Sequence, residues 1–542
     1  MRTAQKSLSA RWDHMSRQEL RRLQAEQLRR YLVTRVVPYS SFFREHFKRE
    51  HLNPEHLKRL EDLQHIPMIS KHDLLPTEDS PQRARDFVLI PDKARLRREP
   101  GVLVNGLLRG RAATQKALER EFRPVFLTST TGRSTEPVPF LYTQHDIDNL
   151  ASAGRRLVEI LGATTDFRVV NMFPYAPHLA FWQTHYACLE FGAFNVSTGG
   201  GKVMGTEGNI RLVERTKPNA IIGMPTFIYH MLSQALEQGY RFESLRTIAL
   251  GGEKVPAGMR RKLLQLATKL GAQDPYVVAT YGFTEGKMAW GECPSPYGRT
   301  SGGYHIYPDL GVVEIVDPNT GELRKDGEPG EIVFTPLDSR GSVVVRYRTG
   351  DLIDGGLVHE PCPYCGRRTP RLVGKISRKS EFRHMQLDKL KGTLVDFNAL
   401  EHLLDDMPDV GCWQIELRKV NNDPLDLDEV ILHVQANEKR DAQTFSGELK
   451  RHVAAHTELS PNEVLFHSNA EMRRLQGVGT ELKEKRIVDN RPTAQNKQSR
   501  DASSTSTVRP AASAGTRSRT RRPIGRGRRS TPSRVTRKKE AL

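Results

Sequence analysis

RVVNMF at 168–173, AIIGM at 220–224 running into PTFIYHMLSQALEQG at 225–239, LRTIAL at 245–250 ahead of PAGMRRKLLQLATKLG at 256–271, and YVVATYG at 276–282 set the fold class. Short β-rich runs alternate with helical runs. That alternation predicts βα units, hence an α/β fold with a largely parallel sheet and helices on its faces. A helical stretch through Trp182 to Leu189 fits the first crossover. Ligands of such sheets bind beyond the carboxyl ends of the strands. After Gly302 the texture changes to GVVEIVDPNTGE, GEIVFTPL and SVVVRYRTGDL, with turn residues Asn319, Thr320 and Gly321, which predicts an antiparallel subdomain.

Working outward, residues 375–490 mix DFNALEHLLDDM with DLDEVILHVQAN, enough for a small α+β domain. Upstream, Leu20, Leu23, Leu28 and Leu32 recur at helical spacing, so 17–36 reads as an amphipathic helix packed on the body. The stretch from Phe87 to Pro124 is Arg-rich with poor periodicity and reads as a connector or insertion. Three segments result: 1–374, 375–490, and a tail, 491–542, rich in Ser, Thr, Pro and Arg and without aromatic residues, expected to be disordered.

A length of 542 residues excludes a mini-scaffold, and ordinary apolar content excludes a wholly disordered chain. The formal charge is +19, but 491–542 alone holds 15 basic and 2 acidic residues, so the other 490 residues carry only +6. The body therefore has an enzyme's surface rather than a nucleic-acid binder's, while the tail is a candidate site for an anionic partner, nucleic acid or membrane. A passive extension is the competing reading of the tail. Five scattered cysteines fit no disulfide framework and suggest a reducing cytoplasm. Neither a signal peptide nor a transmembrane run is recognisable.

Three segments carry candidate chemistry. LTSTTGRSTEPVPF at 127–140 follows a strand end, and its hydroxyl-rich turn suits phosphate oxygens. YGFTE at 281–285 supplies an aromatic ring, a hydroxyl and a carboxylate, suited to base stacking, phosphate contact and Mg²⁺. YRTGDL at 347–352 ends a strand with Asp351, a carboxylate fit to accept ribose hydroxyls. Each alone is also a plain structural turn.

Together and in this order they resemble the adenylate-forming acyl-CoA synthetase superfamily. The opening W-x-x-M-S-R-Q-E-L from Trp12, PYSSFFREHF at 38–47 and HIPMISKHDL at 65–74 are similar to the phenylacetate-CoA ligase family, over roughly residues 12–490. The resemblance implies the adenylate-forming fold: a large amino-terminal domain of βα-layered sheets plus an antiparallel subdomain, and a small mobile α+β carboxyl-terminal domain. It implies that ATP and Mg²⁺ activate a carboxylic acid, aryl or similarly compact, to acyl-AMP with release of pyrophosphate. Transfer to coenzyme A would follow. Ser129, Thr130, Thr131 and Gly132 would hold phosphates, Gly252 and Glu253 would border the adenine, and Tyr281 would stack on it. Thr284 would face the α phosphate, Glu285 would hold Mg²⁺ and Asp351 the ribose. Lys375 stands where the family's hinge has Arg. Lys483 falls at the catalytic lysine position ahead of RIVDNR, with Lys485 the alternative and Leu482 in place of a glycine. His178, Trp182, Met224 and Ala279 would line the acyl pocket, although each also suits plain core.

The hinge departs most from the family, with Ser377 and Arg378 in place of acidic residues. That keeps open a non-CoA acceptor (an amine or carrier thiol) and, further off, a degenerate scaffold that binds nucleotide or zinc without turnover. Cys362 and Cys365 form a C-x-x-C knuckle, and Cys293 with His305 would complete a tetrahedral structural Zn²⁺ site like that of some relatives. The alternative is reduced thiols beside a hydrogen-bonded histidine.

Overall fold

Why the short apolar runs become buried strands follows from the crossovers, which lay a helix over each face of the sheet. In the computed structural model, which describes residues 12–130, 137–296, 299–378, 389–390, 393–394, 397–422, 428–436, 440–457, 461–481 and 484–491, the chain to Arg491 belongs to one unit. It opens with α1 (Arg17–Tyr31), whose Ser16 and Glu19 form a capping box, and α2 (Ser41–Arg49). Helix α1 ends at Tyr31 and a π-helical turn continues to Val36, with Leu20, Leu28 and Leu32 buried as the spacing predicts.

Helix α3 (Pro100–Phe122) follows a short helix, Lys93–Arg98, and leads into the antiparallel pair β1 (Pro124–Ser129) and β2 (Pro139–Thr143). Next come α4 (Gln144–Ile160), β3 (Arg168–Asn171), α5 (Leu179–Phe191), β4 (Phe194–Ser197), α6 (Gly201–Thr216), β5 (Ala220–Gly223), α7 (Pro225–Glu237), β6 (Thr247–Leu250), α8 (Ala257–Lys269), β7 (Tyr276–Phe283) and β8 (Met288–Gly291). The sheet order is β4-β3-β5-β6-β7-β8, parallel except for β7 with β8. Strands β5 and β6 are buried along their whole length, as strands covered on both faces must be. Pro225 starts α7 in its first turn, where no intrahelical donor is lost.

The antiparallel part comprises β9 (Tyr304–His305), β10 (Gly311–Val316), β11 (Gly330–Pro336), β12 (Tyr347–Ile353), β13 (Leu357–Val358), β14 (Arg371–Leu372) and β15 (Ile376–Arg378). Strands β10-β11-β12-β15 form one sheet and β13-β14-β9 another. SVVVR at 342–346 reads as strand but is not one in the structure. Arg346 adopts a φ of 46°, and its guanidinium pairs with Glu314 at 3.0 Å and donates to the carbonyls of Gln64 and Ile66. The regular strand therefore starts only at Tyr347.

The last layer holds α9 (Phe397–Asp406), β16 (Val410–Lys419), β17 (Asp428–Ala436), α10 (Ala442–Thr457), β18 (Glu463–Phe466), α11 (Asn469–Gln476) and β19 (Ile487–Asp489), in sheet order β18-β17-β16-β19. Trp413, Phe445 and Leu449 lie in its own hydrophobic core. It rests on α7 and α8. A Cβ added to Gly258 would lie 1.6 Å from the Asp405 carbonyl oxygen, so α8 meets the end of α9 backbone against backbone. Lys254 pairs with Glu401 at 3.2 Å, Arg261 with Asp406 at 3.3 Å, and Asn469 donates to Glu237 at 2.7 Å. No helix among the described residues is long and apolar enough to cross a membrane.

Candidate active site

The carboxyl ends of β5, β6 and β7 converge on one floor. A Cβ at Gly251 would sit 2.4 Å from Thr280 Oγ1, and Gly252 at a φ of 79° turns the chain beside Phe173 and Met224. Only glycine fits the first position, and the second favours it. Glu253 then reaches back to accept from the Thr226 hydroxyl at 3.0 Å and the Thr226 amide at 3.4 Å, at the start of α7. Met224 is buried at this floor. Ala279 is fully buried within β7, its amide held by Glu292 at 2.7 Å.

At the end of β7 the chain places two motifs against each other. The Tyr281 hydroxyl donates to Asp351 Oδ2 at 2.7 Å, and Tyr347 donates to Glu285 Oε1 at 2.7 Å. Burial, reinforced by the Asp351 charge, pushes the Tyr281 hydroxyl well above its ordinary pKa, so it stays a donor. Asp351 also pairs with Arg378 Nε at 2.9 Å across β12 and β15. Thr284 and Glu285 occupy a 3₁₀ turn, Thr284–Gly286. Burial lowers the pKa of Lys71, and the Glu285 charge opposes that shift. The site thus includes three side chains that the sequence does not single out, Lys71, Thr226 and Tyr347, and it also takes in Arg378, which the sequence marks only as a replaced hinge acid. Lys71 stands in HIPMISKHDL and Tyr347 in YRTGDL, but neither string says what its side chain faces.

The β1–β2 pair carries the hydroxyl-rich loop. Thr130 closes its mouth: its amide donates to Val138 O at 3.1 Å and its hydroxyl accepts the Val138 amide at 2.9 Å. The Ser129 hydroxyl donates to Thr130 O at 3.2 Å. Thr131 and Gly132 lie outside the described residues. The loop mouth is tied to the segment before α5, with the Ser129 amide donating to Pro177 O at 2.7 Å and His178 Nδ1 lying 3.0 Å from Ser129 O. Trp182 donates to Ala176 O at 3.2 Å and meets Phe126 and Tyr175. His178 and Trp182 therefore gather around the loop mouth, and Met224 around Gly252. Lys375 contributes its backbone amide to Asp354 at 2.6 Å.

From the last layer, the segment after α11 comes down on this floor. A Cβ at Gly201 would lie 3.1 Å from Gly479 Cα. Glu484 faces Glu253: burial first, then the Glu253 charge, raises its carboxyl far above the usual range. Lys483, its neighbour in sequence, lies outside the described residues. Lys485 is engaged locally, pairing with Glu481 at 2.8 Å.

A separate cluster joins Cys293, His305, Cys362 and Cys365, whose ligand atoms all lie within 4.8 Å of one another. Cys293 and Cys362 sulfurs are 3.5 Å apart, and Cys365 Sγ is 3.6 Å from His305 Nε2. A tetrahedral Zn²⁺ with sulfur ligands at about 2.3 Å needs sulfur separations of about 3.8 Å, so the donor set fits. His305 is fully buried, and its Nδ1 has no hydrogen-bond partner among the described residues. The Cys293 thiol beside Cys365, helped by His305, lowers the pKa of the Cys365 thiol against the cost of burial. The thiolate is the form a metal takes.

The family model of AMP-binding enzymes matches residues 140–336. The chain is 27% identical over 429 residues to a phenylacetate-coenzyme A ligase of Thermus thermophilus, covering 78% of this chain and 83% of that one. It is 25% identical to the phenylacetate-coenzyme A ligase of Pseudomonas putida, covering 67% and 79%. Among solved structures, 2-hydroxyisobutyryl-CoA ligase in the postadenylation state, in complex with 2-HIB-AMP, superposes with a TM-score of 0.68 at 19% identity, covering 91% of this chain and 94% of that one.

Proposed function

We propose, from the premise that this chain is a phenylacetate-CoA ligase-like adenylate-forming enzyme, that it activates a carboxylic acid with ATP, releases pyrophosphate and passes the acyl group to coenzyme A. The observation that carries the reading is the meeting of two motifs far apart in sequence: Tyr281 on Asp351 and Tyr347 on Glu285, both at 2.7 Å. They gather one acidic, aromatic-walled surface at the strand ends, where a nucleotide belongs in such a sheet.

In the first half-reaction a carboxylate oxygen of the acid attacks the α phosphorus and the bond to pyrophosphate breaks. Asp351 accepts the ribose hydroxyls, while Gly252 and Glu253 border the base with Tyr281. Ser129, Thr130, Thr131 and Gly132 would hold the phosphates. Glu285 is the residue to hold Mg²⁺, which when bound neutralises phosphate charge. Lys483 brings a positive charge to the α phosphate. In the second, the coenzyme A thiolate attacks the acyl carbon and AMP leaves. His178, Trp182 and Met224 wall the acid, and the aromatic walls favour an aryl or similarly compact one. We assign the cysteine cluster to a structural Zn²⁺, with all four ligand positions supplied by the chain.

The layer from α9 to β19 would act as the mobile domain, with 375–378 as its hinge. Arg378 stands there in place of an acid and pairs with Asp351, so rotation must break that pair before the thiol approaches. This is the feature that would favour a non-CoA acceptor.

Pyrophosphate release with Mg-ATP across aryl and short aliphatic acids, with and without coenzyme A, tests the reading. One acid should raise release, and coenzyme A should multiply it; release indifferent to coenzyme A would favour another acceptor. Lys483→Ala should cut acid-dependent release at least ~100-fold, in line with loss of a transition-state charge contact. It should spare thioester formation from supplied acyl-AMP, while Lys485→Ala should stay near wild type. Unimpaired release by Lys483→Ala would remove the lysine assignment.

A further inference from the structure

Residues 93–122 take no part in the site above. After the short helix Lys93–Arg98 the chain enters α3, which breaks at Gly110, where a φ of 80° separates an arm 100–109 from an arm 111–122. The foot of this hairpin is clamped to the body. Arg35 donates to Glu99 at 3.1 Å and to Glu121 at 3.1 Å, so one guanidinium ties the point where the first arm leaves to the point where the second returns. Tyr39 donates to Glu99 at 2.6 Å, Arg340 donates to Glu121 at 2.8 Å, and the buried Phe122 ring meets Tyr39 edge-on.

Beyond that foot the first arm is bare. Leu107 is 87% exposed, Leu108 78%, Leu103 53% and Val104 51%. Positions 103, 104, 107 and 108 share one helical face. Single exposed apolar residues are ordinary on a soluble surface, whereas four adjoining ones on a projecting arm are not. From Pro100 to Leu108 the chain carries no charge, and no acidic residue occurs before Glu119. Cations bracket the arm instead: Lys93, Arg95, Arg97 and Arg98 before it, Arg109 and Arg111 after it. Asn105 is the only polar side chain within 100–108, so the tip offers almost nothing for directional recognition by a protein partner. An apolar medium with an anionic surface satisfies both halves of the pattern.

We propose that this hairpin docks the protein on an anionic lipid bilayer. The leucine face enters the interface to a depth of about 5–10 Å, and the flanking arginines lie among acidic headgroups. The Arg35 clamp fixes where the two arms leave and rejoin the body. No membrane span is involved.

The test is flotation of the full chain with vesicles of phosphatidylcholine alone and of phosphatidylcholine with phosphatidylglycerol. Wild type should float with the anionic vesicles and less so as salt rises. Leu107→Asp combined with Leu108→Asp should lower partitioning at least ~10-fold with an unchanged melting temperature, since neither leucine is packed. Arg109→Gln combined with Arg111→Gln should weaken binding to anionic vesicles selectively. The basic tail is a second cationic element, so the leucine effect must also persist in a chain lacking 492–542. Equal flotation of wild type and the leucine variant would overturn the proposal. So would equal binding to the two kinds of vesicle, or a vesicle-free dimer that the leucine variant abolishes.

Discussion

Replacing Asp351 by Asn tests the nucleotide assignment with the least disturbance. Asp351 is buried and already serves two neighbours: Oδ2 accepts from Tyr281 at 2.7 Å and Oδ1 pairs with Arg378 at 2.9 Å. Asparagine keeps the shape and one acceptor oxygen, which Tyr281 can still use. Arg378 is 53% exposed, so loss of that pair costs ~0–1 kcal/mol. The fold should therefore survive with a small fall in melting temperature. Binding should suffer more, because one hydrogen bond to a charged acceptor contributes about 1.5–3 kcal/mol. At 1.4 kcal/mol per tenfold, that is an increase of about 10- to 150-fold in KM for ATP. The ribose is remote from the phosphorus under attack and is bound equally before and during reaction, so kcat should hold. Pyrophosphate release at varied ATP, with a melting curve beside it, reads all three quantities. A folded variant with KM within threefold of wild type would refute the ribose assignment, and a fall in kcat alone would mean Asp351 acts on the chemistry.

Lys262, buried on α8 with no hydrogen-bond partner for Nζ among the described residues, has its pKa lowered by burial to about 8. Between about 8 and the ordinary 10.5 the unfolded chain holds the extra proton, so stability rises with pH across that window and the penalty is complete below it. Lys262→Met should stabilise the protein at neutral pH by up to ~3 kcal/mol in urea unfolding and flatten the rise above pH 8; a less stable variant that keeps the slope would contradict this. Elemental analysis of purified protein should find about one zinc per chain. Cys362→Ser with Cys365→Ser should lose the zinc and melt earlier, whereas a metal-free wild type with the same melting temperature as the variant would leave the cluster as plain thiols.

The parallel sheet was legible because β3, β5, β6 and β7 are short apolar runs with helices between them, and their burial imposes the pattern. Residues 93–122 were not legible as helix because their one apolar stripe, at 103, 104, 107 and 108, is short, is flanked by arginine-rich stretches and is cut off by the break at Gly110. SVVVR misled for a different reason. Its valines are buried, but the break comes from Arg346, whose partners Glu314, Gln64 and Ile66 are distant in sequence. Within the candidate site, Tyr281, Glu285 and Asp351 stand in recognisable strings, whereas the pairing of Asp351 with Arg378 depends on β12 lying beside β15. The cysteine knuckle was visible as spacing; its approach to His305 needs β9 paired with β14.

In the reading proposed above, in which the last layer would move between two half-reactions, the meeting of Gly258 with Asp405 would have a kinetic consequence. Backbone resting on backbone has no rotamers to choose, so the seat loses no side-chain entropy when it forms and recovers none when it opens. What holds the layer around that seat includes ion pairs such as Arg261 with Asp406, both about half-exposed, which water replaces at little cost. The seat itself would open without a side-chain cost, so the resistance to lifting the layer would lie in the buried contacts around it, where Met472 packs into the core of the body and His230 bonds Gln476 at 2.7 Å.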